Sequence, residues 1–94
     1  MILASKLYSI EVPLLETTTT ALESRVRQII ERTFRLKPDS TIDYTMGAVP
    51  GWDSLGHMRL VVELEKDFTI TLPAYALAEL TDVRAIARVI EENL

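Results

Sequence analysis

Apolar residues recur at the spacing of an α-helix along three stretches of the chain. Between Leu22 and Phe34 they follow one another at intervals of three and four residues, with charged residues on the opposite face. The same periodicity returns over Ser54–Phe68 and again after Thr81, and a short apolar segment, Ala74–Leu80, lies between these two. The pattern predicts an all-α fold: a small antiparallel bundle of three long helices plus one short helix.

Each long helix has an apolar face that we expect to lie in the core. In the first helix this face consists of Leu22, Val26, Ile29, Ile30, Thr33 and Phe34. In the second helix it consists of Leu55, Met58, Val61, Val62, Leu64 and Phe68. In the last helix it consists of Val83, Ile86, Ala87, Ile90 and Leu94.

Local signals mark the ends of these helices. Thr20, followed three residues later by Glu23, is typical of a capping box at the start of the first helix. Pro38 is expected to end that helix because it lacks an N–H group and restricts the residue before it. Thr81 is predicted to cap the last helix. We expect three apolar residues to anchor the long loop Arg35–Trp52: Ile42, Met46 and Val49.

Residues 1–20 differ from the rest of the chain. Apolar and polar residues alternate over Tyr8–Leu14, which indicates an extended segment, and Thr17–Thr20 form a polar link. We predict an extended or loosely ordered tail, with docking on the domain or on a partner as the alternative, and a single domain over residues 21–94. Lys6 interrupts the first apolar run, unlike in a signal peptide, so a cytoplasmic location is expected.

Composition narrows the possible functions. Hydrophobic residues make up 48% of the 94, which favours a folded domain, and the formal net charge of −4 disfavours binding to nucleic acid or to anionic lipid. The chain has no cysteine and one histidine, so neither a disulfide framework nor a metal site is predicted. No apolar run approaches the length needed to span a bilayer.

One serine lies where a glycine-bearing loop turns into the second helix, in the sequence Gly51-Trp52-Asp53-Ser54-Leu55. The N-terminus of a helix has unpaired N–H groups and a partial positive charge, so a phosphodiester on Ser54 would be stabilised there. An ordinary helix N-terminal serine is the competing interpretation.

From about Ala21 to Leu94 the chain resembles an acyl carrier protein or peptidyl carrier protein. In these proteins a first helix leads through a long loop to Asp-Ser-Leu at the start of the second helix, followed by a hydrophobic-Pro step and a last helix opening with Thr-x-Val. Here the corresponding features are Asp53-Ser54-Leu55, Leu72-Pro73 and Thr81-Asp82-Val83. The resemblance implies a stand-alone, non-catalytic carrier with 4'-phosphopantetheine on Ser54, which holds acyl or aminoacyl groups as thioesters.

The resemblance also implies roles for the neighbours of Ser54. Asp53 is expected to cap the helix and to aid recognition by the phosphopantetheinyl transferase. Leu55 is expected to face inward and to fix the helix start. Independently of the resemblance, the large apolar area of Trp52 indicates that it closes the loop against the bundle, with a functional role beside the arm as the alternative. His57 lies three residues from Ser54, but an orienting group and oxyanion donors are not evident, so we expect an exposed contact residue rather than a catalytic base. The expected residues for partner docking are Trp52, Leu55, His57, Met58, Arg59 and Tyr75.

Two departures from the family pattern bear on the pathway. Fatty-acid-synthase carriers place acidic residues early in the second helix, where this chain has Gly56 and Arg59. We therefore expect a monomeric carrier in polyketide, nonribosomal-peptide or related biosynthesis. Its expected partners are the phosphopantetheinyl transferase, an acyl- or aminoacyl-loading enzyme, and a downstream synthase or transferase. The alternative is a helical protein-interaction module without a prosthetic group.

Overall fold

The computed structural model describes residues 20–39 and 41–94, in which there are three α-helices and one 3-10 helix. Helix α1 covers residues 20–34, α2 covers Ser54–Phe68, the 3-10 helix covers Ala74–Glu79, and α3 covers Val83–Glu92. The described residues contain no β-strand; one isolated antiparallel bridge joins Thr45 to Asp82. The all-α prediction is confirmed, and the three long helices and the short one have the expected order.

The core lies where the three long helices face one another. Its largest fully buried side chains come from the three α-helices, from the loop before α2 and from the residue that follows the 3-10 helix: Val26, Ile29, Ile30, Trp52, Leu60, Leu64, Leu80, Ile86, Val89 and Ile90. Burial of one such aliphatic side chain stabilises the fold by about 1.5–3 kcal/mol before entropy is counted. The predicted core face of the first helix agrees with this core. In the last helix Ile86, Ala87 and Ile90 are buried as predicted, whereas Leu94 follows the end of α3 and is 73% exposed, so its predicted place in the core is wrong. The predicted core face of the second helix is also wrong in part.

Both α1 and α2 end in a left-handed residue that is not glycine. Arg35 has a φ of 56° and the Leu36 N–H donates to the carbonyl of Glu31 at 2.9 Å. Thr69 has a φ of 55° and the Ile70 N–H donates to the carbonyl of Glu65 at 3.1 Å. These six-to-one bonds satisfy carbonyls at the helix end. Pro38 therefore does not terminate α1, contrary to the prediction, because this turn ends the helix before the proline is reached.

The predicted helix starts also need correction. Asp82, and not Thr81, is the N-cap of α3, since its carboxylate accepts a hydrogen bond from the Ala85 N–H at 2.8 Å. Thr81 instead accepts a hydrogen bond at its carbonyl from the Met46 N–H at 2.9 Å, which ties the loop to the start of α3. Residue 20 is already helical, so α1 begins earlier than a cap at Thr20 would allow.

The loop between α1 and α2 is anchored by residues other than those expected. Ile42 and Met46 are 49% and 40% exposed, so their predicted burial is wrong, whereas Val49 is buried as predicted. Tyr44 provides the missing anchor: it is 3% exposed and its hydroxyl donates to the Glu31 carboxylate at 2.8 Å. Burial and the adjacent Glu31 carboxylate raise the pKa of the Tyr44 hydroxyl above its ordinary value.

The predicted tail, apart from residue 20, lies outside the described residues. Within residues 20–39 and 41–94, no helix combines the length and the hydropathy that a membrane crossing requires.

Candidate functional site

Ser54 is the first residue of α2, and its side chain is exposed. The residue before it, Asp53, has extended backbone angles and occupies the N-cap position, where its Oδ1 accepts a hydrogen bond from the Gly56 N–H at 2.9 Å. The chain therefore turns into the helix at Asp53, and the hydroxyl of Ser54 lies at the N-terminal end of α2. Within residues 20–39 and 41–94, the Ser54 hydroxyl has no hydrogen-bond partner.

This geometry suits a bulky anionic group attached to the hydroxyl. The start of a helix has N–H groups without intrahelical partners and a partial positive charge, which stabilises a nearby phosphate. An exposed serine also leaves an approaching enzyme free to reach its oxygen. The residues at the start of α2 thus fit a phosphodiester-linked prosthetic group.

Close backbone approach holds the start of α2 against the preceding loop. Gly51 has a φ of +89°, which favours glycine, and its carbonyl lies directly over Gly56 in the first turn of α2. A methyl group at Gly56 would overlap the Gly51 carbonyl oxygen and would lie 2.9 Å from Cε1 of Phe34. Gly56 therefore lets the loop, α1 and α2 meet next to Ser54. In the sequence, Gly56 stands out only as a departure from the family pattern.

A buried hydrogen-bond chain supports the same junction from below. The Trp52 indole N–H donates to Nδ1 of His57 at 2.9 Å, and Nε2 of His57 lies 2.8 Å from the carbonyl oxygen of Leu77 in the 3-10 helix. Because Nδ1 accepts the indole proton, the ring is the neutral tautomer whose Nε2–H donates to Leu77. The Trp52 ring also stacks on Phe34, with ring centroids 5.7 Å apart.

This hydrogen-bond chain buries two of the residues that were predicted to dock partners. Trp52 is 1% exposed and His57 is 9% exposed, so neither side chain forms part of a docking surface. Trp52 instead closes the loop against the bundle, the structural role that the sequence favoured. His57 was expected to be exposed, and it is buried because both of its ring nitrogens have partners inside the fold. With both nitrogens engaged, it is not placed to act as a base for Ser54.

Three apolar residues of the predicted core stripe of α2 lie instead on its outward face, beside Arg59 and Glu63. Leu55 is 71% exposed, and Met58 and Val62 are 49% and 50% exposed. The inward position predicted for Leu55 is therefore wrong, as is the core role of Met58 and Val62. The buried face of α2 consists of Gly56, His57, Leu60, Val61 and Leu64. Both faces have helical spacing, so periodicity alone does not distinguish them.

The remaining residues expected to dock partners are exposed. Arg59 lies on α2 between Met58 and the buried Leu60, and Tyr75 in the 3-10 helix is 78% exposed. Leu55, Met58 and Arg59 lie on the same side of α2, beside the end of α1. Their contact with partners stays a prediction, as does recognition of Asp53 by the transferase. Within the part of the chain that the structure describes, no group of His, Asp and Glu side chains is arranged to hold a metal ion.

Residues 24–90 match the protein family described as the phosphopantetheine attachment site. The chain belongs to this family, whose domains carry a covalently attached 4'-phosphopantetheine and act as carriers rather than as enzymes. The match includes the loop, Ser54, the whole of α2 and most of α1 and α3.

The chain is also similar to a solved structure. The chain is similar to one chain of the structure described as the ishigamide ketosynthase/chain length factor, with a TM-score of 0.59 and 27% sequence identity. The similarity covers 74% of this protein and 89% of that chain. No curated protein sequence matches the chain significantly.

Proposed function

We propose that this protein carries 4'-phosphopantetheine on the Ser54 hydroxyl and presents acyl or aminoacyl thioesters to the enzymes of a specialised biosynthetic pathway. The exposed position of Ser54 at the first residue of α2 carries the proposal, because it combines an accessible oxygen with a helix end that favours a phosphate. The arm, once attached, supplies a terminal thiol that forms thioesters.

The attachment step needs little from the carrier itself. A phosphopantetheinyl transferase with coenzyme A brings the pyrophosphate to Ser54, and a base of the transferase removes the hydroxyl proton. The Ser54 oxygen then forms a bond to the phosphorus next to the pantetheine, the pyrophosphate P–O bond breaks, and 3',5'-adenosine bisphosphate leaves. Asp53 and Gly56 contribute by holding the helix start, so that the hydroxyl is presented in one position.

The proposed pathway is polyketide synthesis, with nonribosomal-peptide synthesis as the related possibility. The similarity to a chain of a ketosynthase/chain length factor structure supports a ketosynthase as the downstream partner. Arg59 and Gly56 argue against the fatty-acid-synthase type, because that type has acidic residues at these positions. Tethering cargo to a carrier raises its effective concentration at each partner enzyme, which is the physical advantage of this arrangement.

Intact-mass spectrometry tests the attachment site. The protein is incubated with coenzyme A and a transferase of broad specificity, alongside Ser54→Ala and the matched control Ser24→Ala, which alters an exposed serine of α1. We expect one phosphopantetheine on the parent and on Ser24→Ala, and none on Ser54→Ala. Addition to Ser54→Ala would place the arm elsewhere. Absence of addition to the folded parent would favour the interaction module without a prosthetic group.

A further inference from the structure

A groove between the end of α1 and the outward face of α2 combines arginines with exposed apolar side chains. We call it the arginine groove and define it by Arg32, Arg35, Leu55, Met58, Arg59 and Val62. It begins next to Ser54, since Leu55 is the following residue. A molecule seated in the groove would therefore lie beside the proposed attachment point.

The charge of this groove is opposite to that of the whole chain. The protein has a formal net charge of −4, yet the groove is lined by three arginines and a single acidic residue, Glu63. Arg32 has a carboxylate partner there, with Nη2 lying 3.3 Å from Oε1 of Glu63. Arg35 and Arg59 form no ion pair within residues 20–39 and 41–94. Within the described part of the chain, two guanidinium groups of the groove are thus without a carboxylate partner.

The apolar part of the groove is unusual for a helix face in water. Leu55, Met58 and Val62 follow one another at intervals of three and four along α2, and each has about half or more of its surface exposed. A continuous apolar strip bordered by charged groups is typical of a surface that another protein covers. The arginines on its border then determine which charge the partner surface must have.

From the charge and the apolar strip together we propose that the enzyme docking on α2 presents carboxylates around an apolar contact. This inference rests on the proposed carrier function and adds the chemistry of the partner. Carboxylates accept bidentate hydrogen bonds from arginine, and the apolar side chains supply the buried area. Docking in this way would bring the partner's surface against the start of α2, where the arm is attached.

Other occupants fit the groove less well. A second copy docked through the same face would bring its arginines against those of the first, because a two-fold interface pairs each patch with itself. An anionic membrane would attract the arginines, but the net charge of the rest of the chain opposes this. An acidic protein surface with an apolar centre matches both the arginines and the apolar strip of the groove.

Two synthetic peptides provide the probe. Both are amphipathic helices with the same leucine pattern, one with glutamate and the other with lysine at the polar positions, and each is titrated into the isotopically labelled protein. We expect the glutamate peptide to shift the amide resonances of residues 33–35 and 55–62, with less effect at higher salt. The lysine peptide should leave these resonances unchanged, although the net charge of the protein would attract it.

Charge reversal identifies the residues responsible. Arg35→Glu/Arg59→Glu should bind the glutamate peptide about fivefold more weakly, because each exposed ion pair contributes modestly. Arg59→Glu alone, at an exposed helix position, should show about half of this effect on a logarithmic scale and guards against misfolding of the double variant. Arg84→Glu/Arg88→Glu makes the same change of charge on exposed positions of α3 and should bind within about twofold of the parent.

Several results would overturn the inference. These are equal binding of the two peptides, no effect of the Arg35 and Arg59 reversals, shifts of the same amides on adding phosphatidylserine vesicles, and concentration-dependent shifts without peptide. The mass measurement on Ser54 separates this outcome from failure of the carrier function. Normal addition of phosphopantetheine together with any of these results rejects only the acidic partner.

Discussion

Both faces of α2 have apolar side chains, but one face is buried in the core and the other is exposed to water. Leu64 on the buried face is fully covered, whereas Leu55 on the outward face is 71% exposed, and both lie in one helix with helical spacing to further apolar residues. The two leucines differ in whether other parts of the chain pack against their side of the helix. The loop crosses over Gly56, and Trp52 packs beside His57, so this side of α2 turns to the core.

The polar contacts of the two faces differ in the same way. The buried face has a single polar side chain, His57, whose ring nitrogens are both paired within the fold. At the edge of the outward face, Arg32 and Glu63 form a pair that water reaches, with side chains 54% and 31% exposed. A buried polar group that loses its partner costs far more than an exposed pair. The inward face therefore determines stability and leaves the outward face available for partners.

The largest expected difference between the faces comes from truncating one leucine on each. Leu64→Ala should lower the free energy of unfolding by about 3 kcal/mol, because it removes buried contacts and leaves a cavity. Leu55→Ala should change it by less than about 0.5 kcal/mol. Urea denaturation of both variants measures the difference. Similar losses in the two variants would show that Leu55 also packs in the core and would remove the contrast.

The next effect tests the close approach that turns one face inward. Gly56→Ala should lower the free energy of unfolding by about 2 kcal/mol, because the added methyl group overlaps the Gly51 carbonyl. Trp52 is the only tryptophan, and its fluorescence should shift as the loop moves. Gly47→Ala is the matched control: its φ is +89° with open space around it, so it should cost about 1 kcal/mol from backbone strain alone. Because the Gly47 N–H donates to the Trp52 carbonyl at 3.2 Å, we expect a fluorescence shift that is smaller than that of Gly56→Ala. An unchanged Gly56→Ala spectrum would contradict the proposed contact.

A third substitution examines the polar group of the buried face. His57→Phe fills the space but leaves the Trp52 N–H and the Leu77 carbonyl without partners, which should cost about 1.5 kcal/mol. The indole N–H resonance of Trp52 should also move, since its acceptor is lost. His57→Gln keeps an acceptor and a donor on one side chain and should recover part of the stability. A fully stable His57→Phe with an unmoved indole resonance would rule out the bond.

The helices could be predicted from the sequence, whereas the orientation of α2 could not. Periodicity located the helices, and Asp53-Ser54-Leu55 located the start of α2. The assignment failed where two apolar stripes shared one helix, because Leu55, Met58 and Val62 satisfy the same spacing as the buried residues. The burial of His57 is not predictable from the sequence for a related reason: its partner atoms, in the Trp52 indole and the Leu77 carbonyl, meet only in the folded chain. Gly56 offered the one usable signal, since a glycine inside a helix often marks close approach.

The smallest expected effect concerns the polar pair at the edge of the outward face. Glu63→Gln removes the nearer of the two carboxylates that face Arg32, the other being that of Asp67 at 3.9 Å. It should lower the free energy of unfolding by less than about 0.5 kcal/mol, since the Arg32 and Glu63 side chains are both hydrated. The loss should vanish at high salt, where exposed charges are screened. Glu79→Gln, at an exposed position of the 3-10 helix, is the control for loss of one negative charge. Urea denaturation in low and high salt distinguishes loss of the Arg32–Glu63 pair from loss of a negative charge alone.

A salt-independent loss above about 1 kcal/mol for Glu63→Gln alone would match the cost of a buried contact. It would mean that the outward face contributes to the fold as His57 does, and that its arginines are less available to a partner than their exposure indicates.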